Sequence, residues 1–130
     1  PSRGTLLRRG IQLDPLCPVC STEIEDTEHI FIHCPLAQKV WDMAVSHQWL
    51  PMRPFTQSDS SLPEALHVLA LNRHPRLSRV VILLWSLWKS RNALIFKNET
   101  PSPMATLLRA KRSWAEWTLR KSSPTLPLST

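Results

Sequence analysis

Glycine is nearly absent: the 130 residues hold two, against twelve prolines. A chain so built is well punctuated but is not a flexible Gly/Ser-type polymer. Hydrophobic residues reach 42%, with six Trp, which is enough for a core and excludes disorder throughout. Long hydrophobic runs are missing. The most apolar stretch, VVILLWSLW at residues 80–88, is closed off by Lys89 and Arg91 and is too short for a transmembrane span. No secretory leader is legible, because the first ten residues carry Arg3, Arg8 and Arg9 and no apolar run with a cleavage site follows. Beginning at Pro1 rather than Met, the chain reads as a fragment or a processed piece. Cysteine is scarce and odd in number, three in all, so the thiols cannot pair among themselves. That points to a reducing compartment, nucleus or cytoplasm, and to no membrane partner.

Net negative charge is confined to part of the chain. Residues 1–10 carry three Arg and no acid. Residues 11–70 carry Lys39 and Arg53 against eight acids, a net −6. Residues 71–130 carry eleven Lys/Arg against Glu99 and Glu116, a net +9. All three cysteines lie in the acidic part, within CPVCSTEIEDTEHIFIHC at residues 17–34.

The pattern along the chain predicts a mainly α protein: a small CCHC zinc knuckle followed by a bundle of about three to five helices. TLLRR at 5–9 reads as a helix end, stopped by Gly10, and IQLDPL at 11–16 as extended. STEIED at 21–26 reads as polar and solvated. Asp26 is placed to cap a short helix from Thr27 to about His33. Pro35 opens a helix running to about Trp49, with Leu36, Val40, Met43, Ala44 and His47 on one face and Trp41 beside them. A short helix spans Glu64 to Leu71. Ser78 is placed to cap a long helix from Arg79 to about Lys97, whose stripe is Val81, Leu84, Trp85, Trp88 and Ile95. Ser102-Pro103 starts a last helix to about Lys121, striped by Leu107, Ala110, Trp114 and Trp117. The expected organisation is a knuckle with a basic N-terminal arm and following helix at 1–50, a linker at 51–61, a basic helical region at 62–122 and a flexible tail at 123–130.

Cys17, Cys20, His29 and Cys34 follow a C-x2-C-x8-H-x4-C spacing. Thiolate and imidazole are the ligands tetrahedral Zn²⁺ prefers. Four protein ligands leave no position for a catalytic water, so the expected Zn²⁺ is structural. His33 is the rival to His29, but it adjoins Cys34, and neighbouring side chains rarely converge on one ion. A redox role for CPVC needs a strand before it and a helix at the motif; Pro15 and the polar loop after Cys20 supply neither. A module of this size with few large apolar residues draws its stability from the metal, about 10–16 kcal/mol of apparent folding free energy.

With these residues in view, LLRRGIQLDPLCPVCSTEIEDTEHIFIHCPLAQKVW resembles the zinc-binding domain that follows the reverse transcriptase in non-LTR (LINE-type) retrotransposons, especially those of plants. The RRGI lead-in, the C-x2-C, the Glu28-His29 pair, the HCPLA step and Trp41 carry the likeness. LLWSLWKSRNALIFKNE is similar to the segment that often follows. The resemblance implies a part of a polymerase that binds nucleic acid, with Cys17, Cys20, His29 and Cys34 at the family's ligand positions. The Ala-Asp-Asp carboxylates of the polymerase do not occur in this sequence, nor does an endonuclease or RNase H set, so no enzyme and no small-molecule substrate are expected.

The acids of the knuckle would repel a phosphate backbone. DNA or RNA contact is therefore expected elsewhere: at Arg3, Arg8 and Arg9; at Arg73, Arg76 and Arg79; and at Arg109, Lys111, Arg112, Arg120 and Lys121, with Arg109 and Arg112 sharing a helix face. Lys89, Arg91 and Lys97 could add to that surface. The alternative is a structural module that packs on the reverse transcriptase body of a larger chain without touching nucleic acid. Trp85, Trp88, Trp114 and Trp117 read as core, with base stacking as the alternative. His47, His67 and His74 read as surface or packing residues.

Overall fold

The computed structural model describes residues 16–122, with side chains as far as Arg120. The helix end at 5–9, the extended stretch before Leu16, Arg3, Arg8, Arg9, the Lys121 side chain and the tail at 123–130 lie outside the described residues.

The protein is mainly α. A single π-helical turn, His29–His33, precedes four α-helices: α1 (Pro35–Ser46), α2 (Leu62–Leu71), α3 (Leu77–Lys97) and α4 (Pro103–Ser122). β structure among the described residues amounts to one isolated antiparallel bridge, Leu16 with Ile24. That bridge closes the knuckle loop. Inside it, the Cys17 N–H donates to the Glu23 carbonyl at 2.8 Å and the Ser21 N–H to the Cys17 carbonyl at 2.8 Å. Ser21 takes a left-handed φ of 60° to make the turn.

Asp26 performs its expected capping: its Oδ1 accepts the His29 N–H at 2.7 Å. The turn it caps is wider than the expected α-helix. Cys34 N–H donates to the His29 carbonyl, five residues back, at 2.7 Å. Cys34 itself is extended, as the residue before a proline should be, and Pro35 sits in the first turn of α1.

α1 buries Ala37, Val40, Trp41 and Ala44. The face is rotated from the expected one. Leu36 and Met43 are only partly buried, and His47 is exposed. Trp41 decides the rotation: its ring meets Phe55 edge-on at 5.3 Å and its Nε1–H donates to the Phe31 carbonyl at 2.8 Å. The helix ends at Ser46, short of Trp49. Gln48 turns the chain at φ 61°, and the Trp49 and Leu50 N–H groups fold back onto the Ala44 carbonyl at 2.9 and 3.1 Å. Trp49 and Leu50 then enter the core, as does Phe55 from the 51–61 stretch.

α3 and α4 form an antiparallel pair held by buried hydroxyls. Ser86 Oγ donates to the Thr106 carbonyl at 2.7 Å, and Ser90 Oγ lies 2.6 Å from Thr106 Oγ1. Asn98 closes α3 in the left-handed conformation, with the Glu99 N–H returning to the Ala93 carbonyl at 3.1 Å. α3 starts at Leu77, two residues early, with Arg76 at its N-cap. Ser78 is not the cap; its Oγ accepts the Trp114 Nε1–H at 3.3 Å. The expected stripe of α3 is likewise displaced. Val80, Leu83, Leu84 and Leu87 face the core, whereas Val81 and Trp85 are exposed. On α4, Leu107 and Ala110 are buried and Trp114 packs partly against them, but Trp117 is exposed. One core cluster runs from Cys17 through α1 and α3 to Ala110.

Candidate metal centre

Each of the four candidate ligands is delivered by a local device. The bridged loop holds Cys17 and Cys20 on one tight turn. The π-turn begins at His29 and ends against Cys34, so its wide i to i+5 step returns both residues to the same side. Their ligating atoms all lie within 4.8 Å of one another. Cys17 Sγ and Cys34 Sγ are 4.0 Å apart, and Cys20 Sγ and His29 Nε2 are 3.3 Å apart. A tetrahedral ion with metal–sulfur bonds of about 2.3 Å sets its ligands about 3.8 Å apart, so these spacings fit a four-coordinate cation. They do not fit a disulfide, whose sulfurs stand about 2 Å apart. Cys17, His29 and Cys34 are buried and Cys20 is half-buried. The donor set and its closure suit a structural rather than a hydrolytic metal.

The surroundings orient these ligands. Thr22 Oγ1 donates to Cys20 Sγ at 3.3 Å. Glu23 Oε2 stands 3.5 Å from His29 Nδ1, long for a hydrogen bond, yet on the side that leaves Nε2 facing the sulfurs. Carboxylates behind a metal-facing imidazole set its tautomer. His33 does not join the cluster: its Nδ1 reaches the Gln57 side-chain amide and its Nε2 the Asp59 carbonyl, both at 3.1 Å.

Among the protein groups alone, the protons are redistributed. Cys17 is lowered to about 3, chiefly by its hydrogen bond with Cys34; burial opposes this and His29 assists. Cys34 is pushed far above the usual thiol range by the same contact and by burial. Cys20 is lowered: burial opposes the shift, while hydrogen bonds from Thr22 and His29 outweigh it. His29 is raised to about 9 by Cys17, against the opposing effect of burial and with help from Cys20. Three sulfurs converging on one imidazole form an electron-rich pocket that a cation would neutralise.

The acids of the knuckle are engaged internally. Glu25 departs from the solvated loop expected at 21–26: its side chain is fully buried and paired with Arg91, which is itself 5% exposed. Arg91 Nη2 donates to Oε1 at 2.7 Å and Nε to Oε2 at 3.0 Å, a two-pronged clamp between the metal loop and α3. Arg91 is thereby withdrawn from the surface to which the sequence assigned it. Its guanidinium also lies 4.9 Å from the Trp88 ring, which in turn meets Phe31. Glu28 Oε2 accepts the Leu62 N–H at 3.0 Å and so anchors the start of α2. No local signal announces the Glu25–Arg91 pair, since 66 residues separate its members.

The candidate nucleic-acid contacts divide. Arg79 lies over the rings of Trp114 and Trp49, at 4.2 and 5.4 Å, and donates to the Trp49 carbonyl at 2.8 Å. Burial and the nearby Arg76 lower its pKa. Arg109 donates to Ser90 Oγ at 2.9 Å and to the Ser86 carbonyl at 3.2 Å. It faces α3, whereas Arg112 is exposed, so the two do not present one basic surface. Arg73, Arg76 and Arg120 are exposed, and Lys111 is half-buried. Among the described residues no helix is long and apolar enough to cross a membrane.

No curated protein and no solved structure matches the chain. Residues 1–41 match a family model described as zinc-binding in reverse transcriptase. The matched stretch contains all four ligands and stops at Trp41, the residue that seats the knuckle on the core. The N-terminal third of this chain is thus similar to a zinc-binding domain associated with reverse transcriptases, and its Cys17–Cys20–His29–Cys34 cluster could hold the metal.

Proposed function

We infer that this chain is a non-catalytic, Zn²⁺-organised module of a reverse transcriptase, of the kind found in plant non-LTR (LINE-type) retrotransposons, and that it contacts DNA or RNA through exposed basic side chains outside the knuckle. The observation that carries this reading is the convergence of three sulfurs and one imidazole within a stretch similar to a reverse-transcriptase zinc-binding domain. Zn²⁺ is the ion that this mixed thiolate–imidazole set favours. Its part would be structural, fixing the knuckle from which α1 departs. The matched family is a zinc-binding domain and not a polymerase domain, in keeping with a non-catalytic role.

Two features support nucleic-acid contact. Glu25 and Glu28 are committed to internal partners, so the knuckle repels phosphate less than its composition suggests. Arg73, Arg76, Arg112 and Arg120 are exposed, and Arg3, Arg8, Arg9 and Lys121 add to the charge outside the described residues. Arg79, Arg91 and Arg109 serve the fold and are left out of the contact set. Binding of the zinc-loaded chain to labelled duplex DNA, single-stranded DNA and RNA, followed by anisotropy across a salt series, tests this. If all four exposed arginines contact duplex phosphates, log K falls with log salt at a slope of about −3.6, and Arg112→Ala makes the slope shallower by about 0.9. Absence of binding at about 50 mM salt removes nucleic acid from the account.

A further inference from the structure

α3 is apolar on more than one side. Val80, Leu83, Leu84 and Leu87 supply the core, yet Val81 and Trp85 stand on the opposite side, 49% and 44% exposed. A helix that is hydrophobic all round ordinarily has all of it covered. α4 offers the facing wall with Ser113 and Trp117, the latter 43% exposed. With Leu77, Ser78 and Ile82 these residues line a groove of about 610 Å³. Apart from the two indoles, its polar side chains are Ser78 and Ser113, and Ser78 is already bonded to Trp114. Cations flank its lining residues along the chain. Lys89 Nζ lies 5.6 Å from the Trp85 ring, Arg76 precedes Leu77, and Arg120 follows Trp117 by one turn; Glu116 is the acid nearby.

We propose that this α3–α4 groove is a docking site for an amphipathic helix with an acidic polar face, supplied by a protein partner. Two parallel ridges with a trough between them accept the apolar stripe of a third helix. The Trp85 and Trp117 rings are the anchors such a stripe needs, and Arg76, Lys89 and Arg120 meet its acidic margins. A second copy of this chain fits poorly, because symmetric pairing would set these cations against their own equivalents. A nucleic-acid strand fits poorly as well: Leu77, Val81 and Ile82 separate the two rings, and no Lys or Arg lines the trough. The proposal stands independently of the nucleic-acid reading.

The test uses the full zinc-loaded chain and a fluorescein-labelled synthetic 18-residue helix with Leu at i, i+3, i+4 and i+7 and Glu on its polar face. Saturable micromolar binding is expected, at least about tenfold weaker for Trp85→Ala and for Trp117→Ala, with helicity and zinc content unchanged. The same helix with Lys in place of Glu should bind at least about tenfold more weakly. The proposal is overturned if the acidic helix does not bind, if the two variants bind it as well as the parent chain, or if the Lys helix binds equally. It is also overturned if sedimentation shows a dimer that Trp85→Ala dissolves, or if an oligonucleotide competes for the groove in a Trp85-dependent way.

Discussion

Replacing Arg91 by Met should unfold much of the link between the metal loop and the helical pair. Arg91 is 5% exposed and Glu25 is fully buried, and two charge-assisted hydrogen bonds of 2.7 and 3.0 Å join them. In Arg91→Met the Glu25 side chain stays buried but loses both hydrogen bonds from the guanidinium. Breaking a buried ion pair from one side costs about 3–5 kcal/mol; loss of the contact with Trp88 adds about 0.5–1 kcal/mol. Domains of this size are stable by about 5–15 kcal/mol in all, so the variant should lose about a quarter of its stability or more. Its Tm should fall by roughly 14–24 °C at about 4 °C per kcal/mol. The double variant Glu25→Leu/Arg91→Met removes both charges and should recover most of the loss, because an apolar pair of similar volume is close to neutral. Urea and thermal melts followed by tryptophan fluorescence, at one fixed free zinc concentration, give the four corners of the cycle. A coupling energy of about 3 kcal/mol is expected. Losses that simply add, or an Arg91→Met loss within about 1 kcal/mol of zero, would refute the clamp.

Zinc binding should release protons and strengthen as pH rises. His29, raised to about 9, and Cys34, pushed far above the usual thiol range, both carry protons at pH 7, whereas Cys17, lowered to about 3, does not. Binding must therefore displace at least two protons, one each from His29 and Cys34. The apparent affinity should climb at least about 100-fold per pH unit near neutrality, a slope that calorimetry in two buffers of different ionisation enthalpy can check; a pH-independent affinity contradicts it. In the apo chain the sign for His29 is opposite. Its folded pKa of about 9 exceeds the ordinary 6.5, so its contribution to stability is fully present below pH 6.5 and is lost as pH rises through 9. His33→Ala should leave zinc stoichiometry untouched while costing about 1–2 kcal/mol through its bonds to Gln57 and Asp59; a chain that no longer binds zinc would move the fourth ligand from His29 to His33.

The candidate metal cluster was legible because it is local: the two-residue loop between Cys17 and Cys20, and the better spacing of His29 than of His33, need no tertiary knowledge. Helix starts followed from Asp26, Pro35 and Ser102, whose side chains or rings act on the nearest turn; α2 instead begins at Leu62, two residues before the expected Glu64, with Ser61 as its N-cap. The inward faces of α1 and α3 were harder. VVILLW presents apolar groups in every direction, so the pattern at 80–85 cannot tell Val80 from Val81. The choice is made by Thr106 and Arg109 of α4, which bond Ser86 and Ser90 and turn that side of α3 inward. The π-turn left no mark in HIFIH, because it answers to the convergence of His29 and Cys34. Arg79 and Arg91 looked like surface charge. Their stacking on Trp49, Trp114 and Trp88 joins residues distant in the chain.

Metal analysis of the purified chain, paired with circular dichroism before and after chelation, tests the central claim most directly. One zinc per chain is expected, bound by Cys17, Cys20, His29 and Cys34, with loss of helical signal on its removal and recovery on its return. A chain that holds no stoichiometric metal, or keeps its helices unchanged when stripped of it, contradicts the account.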